Sequence, residues 1–127
     1  MFRHPAEIVS SSLQSPPGFL RHLNPGEELA GHVQHIATTF SEAIKAKDNI
    51  DRFVYYQDGV QNILDACQQH LGPSINPSLA LRHHSKRQSQ PFVSDSQKKR
   101  ESFSADSLAL IQDTLQPLYQ ELLGLKG

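Results

Sequence analysis

Residues 24–71 read NPGEELAGHVQHIATTFSEAIKAKDNIDRFVYYQDGVQNILDACQQHL, and this stretch decides the fold. It opens on a helix start signal. Asn24 can cap free backbone N–H groups, Pro25 suits the first helical position because its missing donor costs nothing there, and Glu27 and Glu28 favour the positive end of the dipole. Leu29, Val33, Ile36, Ala37, Phe40, Ala43 and Ile44 then recur at helical spacing. At about 100° per residue they share one face, the pattern of a half-buried helix. A second run follows in Phe53, Tyr56, Val60, Ile63, Leu64, Cys67 and Leu71.

The two runs are not one helix. Projecting the first stripe forward leaves Phe53 roughly 120° or more out of phase, and Lys47-Asp48-Asn49 reads as a last turn followed by turn residues. A short connection makes neighbouring helices antiparallel. The expectation for 24–71 is therefore an antiparallel helical hairpin. Its second helix is kept whole through Gly59 at a cost of about 1 kcal/mol.

Outward from the hairpin, Gly72-Pro73 stops the second helix in the usual order. Residues 72–102 lack sustained periodicity, are rich in Ser, Gln, Lys and Arg, and read as a disordered basic linker. A C-terminal amphipathic helix is expected over 103–127. In it Leu108, Ile111, Leu115, Leu118, Leu122 and Leu125 repeat at spacings of 3 and 4, a heptad-like seam. Pro117 lies inside this seam, where it should kink or break the helix. On the other side, residues 1–23 hold scattered apolar side chains around Ser10-Ser11-Ser12 and Pro16-Pro17-Gly18, and read as a loosely ordered N-terminal arm in which Ala6 to Leu13 could form one or two helical turns before the proline pair. The fold class is all-α.

A chain of 127 residues with 37% apolar content is one domain at most, and part of it is expected to be disordered. No run reaches the ~20 apolar residues of a membrane span, and the N-terminus lacks the apolar core of a secretory signal, so no membrane association is expected. A lone cysteine, Cys67, excludes an internal disulfide and fits a reducing compartment. The net charge of −1 hides an uneven spread. Residues 24–71 carry seven acids and three bases, whereas residues 72–100 carry six bases against Asp95.

Chemistry-bearing patterns are sparse. Glu28, His32, His35 and Glu42 flank the first stripe, but the second helix offers no matching ligand pair, so the flank reads as solvated and no metal is expected. His83-His84 lacks a second pair at zinc spacing. No nucleophile elbow, phosphate loop or metalloprotease motif is present, and no catalytic residue or cofactor is expected. The protein is read as a non-enzyme.

The most specific local pattern is Lys86-Arg87, ten intervening residues, then Lys98-Lys99-Arg100. Two basic clusters on a flexible spacer resemble a bipartite nuclear localisation signal. The same segment, Arg82 to Arg100, could contact nucleic acid. Phe92 is its only aromatic, however, and no helix carries a basic face. Lys99-Arg100-Glu101-Ser102 also has the form of a base-directed kinase substrate. Three short helices supply a thin core for this length, which argues for a protein partner or self-association. The function expected is thus a non-enzymatic helical interaction module, a small subunit or adaptor of an intracellular assembly in the nucleus or cytoplasm. Its docking surface, of coiled-coil type, would be the seam Leu108 to Leu125, the equal alternative being that the seam is the chain's own core. The alternative is an accessory nucleic-acid-binding or regulatory protein acting through 82–100.

Overall fold

The computed structural model describes residues 1–72 and 96–127. Among them the secondary structure is helical, with two isolated backbone bridges in place of any strand. The α-helices are α1 (Pro5–Gln14), α2 (Glu28–Lys45), α3 (Val60–Leu71), α4 (Ser96–Glu101) and α5 (Ala105–Leu125). The all-α class expected from the sequence is what the chain adopts, with the two central helices and the C-terminal helix in their expected order. Lys86 and Arg87, and most of the expected linker, lie outside the described residues. The end of that linker forms α4.

The Asn24 start signal works differently from the expectation. Gly26 has φ +87° and the Glu27 N–H donates to the Asn24 carbonyl at 3.0 Å. With Pro25 ahead of that glycine, the four residues close a turn of type II, which Pro-Gly favours over continued helix. α2 begins beyond it, and the Glu28 carboxylate turns back to accept the Gly26 N–H at 2.8 Å. Val33, Ile36, Ala37 and Phe40 of the expected stripe are buried, while Leu29 and Ile44 pack at its edge.

The main neighbour of α2 is α5, and α1 packs on both. Ile111, Leu115, Tyr119 and Leu122 of α5 join Phe2 and Val9 against the α2 stripe in one core. This corrects the reading of residues 1–23 as a loose arm. α1 buries Pro5, Ala6, Glu7, Val9 and Ser10, starts on a proline, and is capped by His4 Nδ1, which accepts the Ala6 N–H at 3.2 Å. The apolar positions looked scattered because the face of α1 is lined by small and polar residues, not because it is uncovered.

α5 runs unbroken through Pro117. The proline is exposed, as is Asp113 one turn earlier, whose carbonyl loses its usual donor. Placed on the wet side of the helix, that carbonyl has water available, and the packed opposite face holds the helix together.

The connection between α2 and α3 is longer than the short turn expected. After a 3-10 turn at Lys47–Asn49 the chain is extended through Phe53-Val54-Tyr55, and a second such turn covers Tyr56–Asp58. Aromatic and β-branched residues favour this extended backbone over helix. Gly59, at φ +103° and ψ 157°, sits in a region closed to other residues and starts α3 only after it. Phe53 and Tyr56 therefore belong to the connection and not to the second helix.

This connection acts as a strap across both termini. The Phe2 N–H donates to Val54 O at 2.9 Å, Tyr56 N–H returns to Phe2 O at 2.8 Å, and Gly127 N–H reaches Phe53 O at 3.2 Å. Phe2 stacks on Tyr55 at 5.1 Å and meets Tyr119 edge-on, and the two tyrosine hydroxyls are hydrogen-bonded to each other. Under the strap Glu7 is fully buried, beside Arg3 (3.6 Å) and hydrogen-bonded by the Gln57 amide.

Candidate interaction face

The seam of α5, expected as docking surface or as core, packs inside the chain. Ile111, Leu115 and Leu122 are at most 1% exposed, and Leu118 packs against the same core. Leu108 and Leu125 are half-buried at its ends. The seam is filled by the chain's own α1 and α2, so the core that looked thin is closed from within.

The basic segment divides. Lys98 is exposed on α4, but Lys99 is half-buried and its ammonium donates to Ser11 Oγ of α1 at 2.9 Å. Arg100 follows in the same helix. A six-residue helix is far too short to hold itself in water, so α4 owes its form to this packing on α1.

The polar flank of α2 also divides. Glu28 caps the turn before the helix and Glu42 pairs with Lys45 at 3.2 Å. His35 lies half-buried beneath the exposed Phe19 ring, 4.8 Å between centroids. His32 departs from the solvated reading: it is 1% exposed, and its Nδ1 lies 2.5 Å from Ser12 Oγ of α1. Burial, and then the neighbouring His35, lower its pKa from the usual histidine value, against a smaller opposing pull from Glu28. A hydrogen bond between His32 Nδ1 and the Ser12 hydroxyl joins the two side chains inside the α1–α2 contact. Among the described residues no three His, Cys, Asp or Glu side chains converge as a metal site.

Among the described residues, α3 is the helix whose apolar face stays partly exposed. Its apolar face has Ala66 buried, Ile63, Leu64 and Cys67 only half-buried, and Leu71 64% exposed. Its near neighbours are the Tyr56–Asp58 turn and the strap, not the central core. Between α3 and the strap lies a cleft of about 360 Å³ lined by Met1, Val54, Ile63, Ala66, Cys67 and Leu71, with Asp51, Arg52 and His70 at its polar margin. Met1 is 74% exposed on it. Arg52 is already engaged, donating to Gln69 Oε1 at 2.6 Å and to the Gly127 carbonyl at 2.9 Å.

The local cause is in the sequence. Gly59 and Gly72, both at positive φ, bound α3 on each side and set it off from the core. Its stripe Ile63, Cys67, Leu71 was legible from spacing alone; that the stripe lacks a cover was not. The lining is mostly apolar, and what such a surface offers a partner is burial. Each fully covered side chain the size of Leu contributes about 1.5–3 kcal/mol.

No known family model, curated protein or solved structure matches the chain. Among the described residues no helix is long and apolar enough to cross a membrane.

Proposed function

We propose that the protein is a non-enzymatic protein–protein interaction module, a small subunit or adaptor of a larger assembly in the cytoplasm or nucleus. It docks an amphipathic helix of its partner in the cleft of α3. The observation that carries this reading is the half-covered apolar face Ile63, Cys67, Leu71 beside exposed Met1. From Ile63 to Leu71 the face runs about 12 Å, enough for anchors at i, i+3 or i+4, and i+7 of a partner helix. Asp51 is exposed at the margin while Arg52 is held by Gln69 and Gly127, so a partner helix with a basic residue beside its apolar stripe fits best.

The test is affinity capture from source-cell extract with wild-type bait and with Leu71→Asp. Leu71 is exposed, so the variant keeps the wild-type circular dichroism and melting temperature. A stoichiometric partner retained by wild type and lost by Leu71→Asp supports the reading. Equal capture by both baits, or light scattering that shows only a self-associated wild type, counts against it. The alternative, nucleic-acid binding through 82–100, rests on the basic charge of that segment, most of which lies outside the described residues; Lys99, within them, faces Ser11.

A further inference from the structure

Lys99 is the hinge of two contacts. Its ammonium donates to Ser11 Oγ on α1 at 2.9 Å, and its carbonyl accepts the hydroxyl of Ser102 at 2.7 Å and, at 3.4 Å, the Ser102 N–H. Ser102 is exposed in the turn between α4 and α5 and directly follows Lys98-Lys99-Arg100-Glu101. The next serine, Ser104, is spoken for: its Oγ caps α5 by accepting the Ser107 N–H at 3.3 Å.

We propose that Ser102 is the acceptor of a base-directed serine kinase, and that its phosphorylation releases α4 from α1. Lys98 and Arg100, four and two positions before Ser102, supply the basic residues that an acidic kinase groove recognises. In the transfer, Ser102 Oγ bonds to the γ-phosphorus of a nucleoside triphosphate as the bridging P–O bond breaks. The nucleoside diphosphate leaves and the hydroxyl proton passes to the kinase's own base.

Two consequences follow at Lys99. The ester oxygen no longer donates to the Lys99 carbonyl, and a charge of about −1.5 to −2 arrives beside the negative end of α4. That phosphate is also a better partner for the Lys99 ammonium than the neutral Ser11 hydroxyl, since charge-assisted hydrogen bonds are about twice as strong. α4 cannot hold its helix without its packing on α1, so it opens and presents its basic residues to solvent.

The test is to treat the full-length chain with a purified base-directed serine kinase and magnesium ATP. The phosphate is mapped by mass spectrometry, and amide hydrogen exchange is compared before and after. The expected result is one phosphoryl group on Ser102, abolished in Ser102→Ala and slowed in Lys98→Ala/Arg100→Ala. α4 amides should then exchange about tenfold faster or more, while α5 amides around Leu115 stay protected. No incorporation, or incorporation at Ser104 or elsewhere, overturns the site. Phosphate on Ser102 with unchanged α4 exchange overturns the release.

Discussion

At the scale of single residues, His32 shows how a side chain beside an apolar stripe can belong to the interior. It lies next to Val33 in sequence and takes Ser12 of α1 as its partner. Its pKa is lowered in the folded chain, so below the ordinary histidine value the unfolded chain binds more protons than the folded one. The contribution of neutral His32 is therefore complete above about pH 6.5 and is lost as pH falls toward the lowered folded value. Melting temperature should drop between about pH 7 and pH 5, and His32→Leu should flatten part of that slope. An unchanged slope in the variant would remove His32 as the cause. Glu28 and His35 on α2, and Lys99 beside Ser11, are the other charged or titratable groups near this contact.

At the scale of elements, α5 and α3 carry similar apolar stripes with opposite fates. The seam of α5 meets α1 and α2, whereas among the described residues the stripe of α3 meets the strap and its Tyr56–Asp58 turn. Leu115→Ala should therefore cost about 2–5 kcal/mol in urea unfolding, as expected for a fully buried leucine whose site cannot collapse. A loss below about 1 kcal/mol would mean the seam is not core. The periodicity of both helices was legible because it depends on neighbours three and four apart. Their boundaries were less so. Pro117 reads as a breaker, yet it falls on the exposed side of a helix whose other face is packed. Gly59 reads as a tolerated helix interior residue, yet its φ of +103° makes it the entry to α3.

At the scale of the whole molecule, the strap Phe53–Tyr56 joins the two ends of the chain. Phe2 on one side and Gly127 on the other bond to its backbone, and Lys126 Nζ reaches the Asp58 carboxylate at 3.3 Å. Phe2 is 6% exposed among Tyr55, Tyr119 and the central core, so its loss empties a site shared by three segments. Phe2→Ala should destabilise the chain by about 3–5 kcal/mol and, in hydrogen exchange, deprotect the strap together with α1. Retained protection in the strap would show that its bonds to Phe2 are dispensable.

The sequence by itself determined the all-α class, the helical stripes of α2 and α5, the Gly72 stop, and the absence of any local catalytic motif. Each rests on spacing or on the conformational preferences of a few adjacent residues. Only the tertiary structure decided which stripe covers which. It closed the α5 seam with α1 and α2, drew Phe2 and one face of α1 into the core, and turned Phe53 and Tyr55 into a strap. It also left α3 half-covered. These outcomes depend on contacts between residues far apart in the chain, such as Lys126 and Gly127 with the strap and Phe2 with Tyr119, and periodicity carries no information about partners at that distance.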